Sequence, residues 1–229
     1  MENTHLNRFL SKIFKKRTNR INNNMTVLIC AAHPDDEVIG VGGTIAKISE
    51  KEDVISIIFS YGDKYPFWKE SREVKTKRIA ETRACEELLG VKKTYFMGLH
   101  DMEIKKDYNE TLKKLKRIIE HYKPNTIFTH TITDGHPDHR AVHDLTVQAV
   151  KETFINTRIL TFDINFFNFQ KGLKVHYDIT KTFDKKMQAL NLIKSQHSII
   201  TLLKPLILLK AITYGIRSKN KYAECFTAL

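Results

Sequence analysis

From residue 25 onward the chain alternates short apolar runs with stretches of helical spacing. Thr26–Cys30, Val54–Phe59, Thr94–Met97, Thr126–Thr129, Ile159–Ile164 and Val175–Ile179 read as strands. Between them, Glu73–Leu89 carries Ile79, Cys85, Leu88 and Leu89 at helical spacing and stops at Gly90. Tyr108–Tyr122 turns Leu112, Leu115, Ile118 and Ile119 inward and is closed by Pro124, while Pro137 is placed as the first residue of another helix. Val41-Gly42-Gly43 opens a helix with close backbone packing, and Phe183–Lys194 is helical. Strands that alternate with helices predict a single α/β domain, Rossmann-like, with a mostly parallel sheet and helices on both faces.

Two segments fall outside that rhythm. In residues 1–24, Leu6, Phe9, Leu10, Ile13 and Phe14 share one helical face, with Arg8, Lys12, Lys15, Lys16, Arg17 and Arg20 around it. This basic amphipathic pattern suits an anionic bilayer surface, or equally a helix docked on protein. Asn22–Asn24 then form a polar linker, so the core domain is expected over residues 25–229. Ile199–Ile212 is rich in Leu and Ile but broken by Lys204, Pro205 and Lys210, which predicts a buried or interfacial helix too short and charged to span a bilayer.

Composition narrows the setting. The 229 residues carry a net charge of +12, which favours anionic partners: a phosphorylated substrate, a membrane surface or nucleic acid. No nucleic-acid motif accompanies the charge, so nucleic acid is not expected as a partner. Cys30, Cys85 and Cys225 lie far apart without a C-x-x-C pair, which predicts reduced thiols and a cytoplasmic protein.

The chemistry concentrates in two clusters, Ala32-His33-Pro34-Asp35-Asp36-Glu37 and Asp134-Gly135-His136-Pro137-Asp138-His139-Arg140, each directly after a strand. In an open parallel sheet, sites form beyond the carboxyl ends of strands, so the two can meet. His33, Asp36 and one histidine of the second cluster would provide three ligands to a divalent cation, and mixed His/Asp ligation with an open position suits catalytic zinc. Asp35 is then free to act as a general base, a spare histidine can donate to an oxyanion, and Asp138 can orient an imidazole. Two other readings stand beside this one: the His-Pro-Asp strings as plain helix-capping turns, and a chelate of His139 and His143, four apart on one helix.

Together these strings resemble the signatures of the PIG-L/LmbE-like family of zinc-dependent N-acetylglucosaminyl deacetylases. Arg78-Ile-Ala-Glu81, Ser195-Gln196 and Tyr222–Phe226 resemble that family's remaining motifs, so the likeness extends from Met25 to Phe226. The resemblance implies His33, Asp36 and His139 as ligands of zinc or another divalent cation, and Asp35 as general base. It implies His136 for oxyanion stabilisation or acid catalysis with Asp138 in support, and Arg78 as a substrate contact. The expected substrate is an N-acetylated amino sugar, phosphorylated or lipid-linked, and the protein is expected to be cytoplasmic or peripheral on a membrane. A related amidase acting on a sugar–thiol conjugate and a non-catalytic basic binding module are the rival expectations.

Overall fold

A computed structural model describes residues 25–63, 71–164 and 170–229. The expected amphipathic segment 1–24 lies outside these described residues. Among the described residues, seven strands form one sheet: β1 (Thr26–Ala31), β2 (Asp53–Ser60), β3 (Lys93–Leu99), β4 (Thr126–His130), β5 (Arg158–Phe162), β6 (Lys174–Asp178) and β7 (Ala223–Ala228), in the order β3-β2-β1-β4-β5-β7-β6. The first five are parallel; β7 runs antiparallel between β5 and β6. The expected mostly parallel sheet is therefore present. Strand β7, which the sequence offered only as a closing motif, is an addition to it.

Helices α1 (Asp36–Ile48), α2 (Ser71–Leu89), α3 (Tyr108–Tyr122), α4 (Pro137–Thr153), α5 (Phe183–Leu192) and α6 (His197–Arg217) cover the sheet. Alternate residues of one strand feed opposite layers, as the strand period of two requires. In β1, Leu28 and Cys30 pack with Leu115 of α3 and Leu145 of α4, whereas Val27 and Ile29 pack with Ile45 of α1 and Leu190 of α5. All three cysteines are buried and unbridged.

Helix α1 lies close over the layer beneath it. A Cβ on Gly43 would fall 2.7 Å from the Ile179 side chain, so only glycine permits that approach. Its polypeptide ladder is also entered from outside: Glu224 of β7 accepts the backbone N–H groups of Gly43 (3.0 Å) and Thr44 (2.8 Å), and Lys186 of α5 donates to the Ile39 carbonyl (2.7 Å). Lys186 and Glu224 pair directly at 2.6 Å, both buried. This ion pair ties α1, α5 and β7 into one unit.

Helix α6 corrects an expectation. It runs for 21 residues, beyond the 199–212 stretch suggested by composition, and by length and composition alone is long and apolar enough to cross a bilayer. One face, with Ile200, Ile207, Ala211 and Gly215, is buried against the domain. The outward face carries large apolar side chains, including Leu202 at 75% and Ile216 at 73% exposure.

Candidate metal centre

Strands β1 and β4 are parallel neighbours at the point where the sheet order reverses, and both run into their histidine-bearing loops at the same end. That crevice is where doubly wound sheets bind ligands. His33 leaves β1 in a turn whose backbone N–H donates to Asp36 Oδ2 at 2.8 Å. The same oxygen lies 3.4 Å from His33 Nδ1, 3.3 Å from His130 Nε2 and 3.4 Å from His139 Nε2. Three imidazoles thus converge on one carboxylate oxygen, and the rings of His33 and His139 sit 5.3 Å apart. Residues a hundred positions apart in the chain have become one site.

Among the described residues, cation-competent donors group in three overlapping sets within 4.8 Å: His33, His136 and His139; Asp36, His130 and His139; and His33, Asp101 and Asp138. The expected ligands His33, Asp36 and His139 span the first two sets. His143 belongs to none of these sets; its Nδ1 lies 2.7 Å from the carbonyl of His130 and donates to it, which fixes the end of β4. No set of three donors among the described residues includes His143, so a chelate of His139 and His143 finds no third ligand there.

The electrostatics are those of a cluster balanced by imidazole protons. Burial works against charge on His33, yet Asp101, Asp138 and Asp36 outweigh it and hold its pKa well above the ordinary range. His139 is raised too, burial being outweighed by Asp36 and Asp134. Burial likewise opposes charge on Asp36, but His139, His130 and His33 pull it well below the usual carboxylate range. His130, wholly buried, is pushed down to about 4 by burial and by His139; its Nε2 accepts the Ala32 N–H at 3.0 Å, so it bridges β1 and β4 as a neutral ring.

Asp35 occupies the N-cap position of α1, where a carboxylate ordinarily accepts a helix N–H, but makes no capping bond among the described residues. It lines a cavity of about 210 Å³ together with His33, Asp36, Arg78, Asp101 and His136. Burial and the Asp36 charge raise its pKa, with Arg78 opposing. The plain capping-turn reading fails at this residue.

His136 caps α4 instead. Its Nδ1 accepts the Asp138 N–H at 3.2 Å, which leaves the proton of the neutral ring on Nε2. The Asp138 carboxylate does not orient His136 as expected: its Oδ2 takes the Met102 N–H at 2.7 Å and lies 3.3 Å from His33 Nε2. Support for His136 comes from the Asp138 backbone. Arg78 reaches the cavity over Gly62, whose φ of +60° and missing Cβ leave room; a methyl there would fall 2.0 Å from Nη1.

Sequence reasoning missed Asp101, just past the end of β3, and did not count His130 among the ligands. The signal was available in Asp101, a third acidic position just past a strand end. The Arg78–Glu81 and Ser195-Gln196 strings turn out to be one device: Glu81 accepts the N–H groups of Lys194 (3.1 Å) and Ser195 (2.8 Å). That turn delivers Gln196 and the start of α6 to the cavity wall.

Comparisons with known proteins find deacetylases among those similar to this chain. Residues 28–150 match the family described as GlcNAc-PI de-N-acetylase, PIG-L. A diacetylchitobiose deacetylase of Thermococcus kodakarensis is 28% identical over 233 aligned positions, covering 94% of this chain and 87% of the relative. A probable N-acetyl-alpha-D-glucosaminyl L-malate deacetylase of Bacillus cereus is 26% identical, covering 74% and 83%. The structure of N,N'-diacetylchitobiose deacetylase from Pyrococcus horikoshii superposes with a TM-score of 0.76 at 25% identity, covering 100% of this chain and 93% of that one. The hydratase GalB of Pseudomonas putida shares the fold at a TM-score of 0.78 and 21% identity, covering 90% and 96%. Fold alone therefore does not decide the chemistry; the side chains in the crevice do.

Proposed function

The chain belongs to the GlcNAc-PI de-N-acetylase (PIG-L) family, and from that premise we propose that it removes the acetyl group from an N-acetylated amino sugar by metal-assisted hydrolysis. The observation that carries this reading is the meeting of His33, His139 and Asp36 Oδ2 in one crevice with an uncommitted Asp35 beside them. The donor set fits a divalent cation: two imidazoles and a carboxylate, buried, with neighbouring acids that a positive ion would neutralise. His33, Asp36 and His139 would hold it, and zinc is the ion that best matches such ligands. When bound, the ion would supply a Lewis acid for the acetyl carbonyl and lower the pKa of a water towards roughly 7.

The chain's own groups divide the remaining work. Asp35 takes a proton from the attacking water, whose oxygen bonds to the acetyl carbon. His136 donates from Nε2 to the oxyanion that develops on the carbonyl oxygen. The C–N bond then breaks, and the proton held by Asp35 passes to the departing nitrogen, releasing the free amine and acetic acid. Arg78, cationic at the cavity wall, binds the sugar or an attached phosphate. The net charge of +12 supports a phosphorylated or lipid-linked sugar, the buried thiols support a cytoplasmic setting, and the basic pattern of residues 1–24 supports peripheral attachment to a membrane.

Metal analysis followed by an amine-release screen over N-acetyl sugars, sugar nucleotides and lipid-linked sugars tests the proposal. Activity abolished by chelation and restored by zinc is the expected result. Amine release that is indifferent to chelation would sink it.

A further inference from the structure

The outward face of α6 has no partner among the described residues, and its chemistry is specific. Leu202, Leu209 and Ile216 recur at seven-residue spacing and line one edge, 75%, 50% and 73% exposed; Leu208 and Ile212 broaden it. Charge along this stretch of the chain has a single sign, the acid packed against the helix being Asp163, which pairs with Lys210. Between Asp184 and Glu224 there is no acidic residue, whereas Lys194 lies exposed before the helix and Arg217, Lys219 and Lys221 lie exposed at and beyond its end. The same helix forms a wall of the catalytic cavity through Ile199 and Leu203.

We propose that this face of α6 seats the protein on an anionic lipid surface, so that the catalytic cavity opens at that surface. An apolar helical stripe with cations at both ends is the arrangement that lies in a headgroup layer, with apolar side chains entering the acyl boundary and cations meeting lipid phosphates. A second copy of the chain fits poorly, because a two-fold contact would bring together the like charges that flank this apolar stripe. Residues 1–24 fit poorly for the same reason, being basic in their turn. Ile199, 39% exposed, continues the apolar surface into the cavity, so a substrate held by lipid could enter without leaving the interface. That last clause rests on the deacetylase reading; the seating does not.

The test is co-sedimentation of the full chain with phosphatidylcholine vesicles, with and without phosphatidylglycerol, at low and high salt. Salt-sensitive pelleting with the anionic vesicles is expected. Leu202→Glu combined with Leu209→Glu should weaken it by about tenfold or more, as each leucine loses its buried apolar surface. Deacetylation of a water-soluble N-acetyl sugar should be unchanged in the double variant. Equal pelleting of variant and wild type would assign binding to residues 1–24 and overturn the proposal. So would a wild type that never pellets, or one whose oligomer on size-exclusion chromatography is converted to monomer by the substitutions without any vesicle binding. Because pelleting needs no turnover, loss of the deacetylase reading would leave this result standing.

Discussion

Asp35 and Glu37 are two residues apart and flank Asp36, yet the fold assigns them opposite tasks. Asp35 borders the cavity and carries no cap bond, so its carboxylate remains available to a water. We expect Asp35→Ala to reduce kcat by roughly 100- to 10,000-fold, the usual contribution of a general base, while the purified protein keeps its metal. His33→Ala should lose both metal and activity, and metal analysis alongside kinetics distinguishes the two variants. Glu37 is fully buried, and its two oxygens have no hydrogen-bond partner among the described residues. Burial and the nearby Glu86 push its pKa well above the ordinary range. Glu86 is itself raised to about 7 from 4.5, chiefly by burial. A carboxyl whose folded-state pKa is raised holds its proton more tightly in the folded chain. Its contribution is therefore complete below about pH 4.5 and lost as pH rises through about 7, a cost on the order of 3 kcal/mol in the alkaline range. Glu86→Gln should flatten the fall in urea midpoint between about pH 4.5 and about 7; an unchanged pH dependence would show that Glu86 is not the group responsible.

At the scale of elements, α1 decides where the first cluster points, and the Lys186–Glu224 pair decides where α1 sits. Removing one partner leaves a buried charge without its mate, which typically costs about 3–5 kcal/mol, whereas neutralising both removes the problem with the pair. Lys186→Met should therefore lower thermal stability more than Lys186→Met with Glu224→Gln, although the double variant changes more atoms. Glutamine can still accept one of the Gly43 and Thr44 N–H groups, which meet different oxygens of Glu224, so the double variant recovers only part of the loss. Calorimetry of the two variants checks the order. The pair also shows where sequence reading stops. The helices α3 and α4 were readable to their inward faces, since Leu112, Leu115, Ile118 and Ile119 follow one local period and Pro137 marks its own helix start. Glu224 was visible only as part of a closing motif. Its partners lie 180 and 38 positions away, on α1 and α5, and no local period connects them.

For the whole molecule, the cation-balanced crevice predicts how the protein responds to metal and to pH. His33 and His139 are raised above the ordinary imidazole range in the metal-free chain, so protons must leave them before they can ligate. Metal affinity should consequently weaken as pH falls, and titration calorimetry in buffers of different ionisation enthalpy should register proton release on binding. An affinity independent of pH would contradict the assignment of these imidazoles as ligands. Chelation should also lower the unfolding temperature, by roughly 5–10 °C if the ion is present at about a hundredfold over its Kd, and zinc should restore it.

The alternation of apolar runs and helical periods determined an α/β chain, and the placement of both His/Asp strings directly after strands determined where its chemistry would gather. These are short-range patterns, set by strand and helix periods that each segment carries alone. Tertiary structure decided what those patterns could not express. Strand order placed β1 beside β4, which made His130 a member of the cluster and turned Asp138 towards His33 rather than His136. It inserted β7 as an antiparallel strand and brought Asp101 in from β3. Each of these depends on contacts between segments remote in the chain, and their free energy exists only once the sheet has closed the distance.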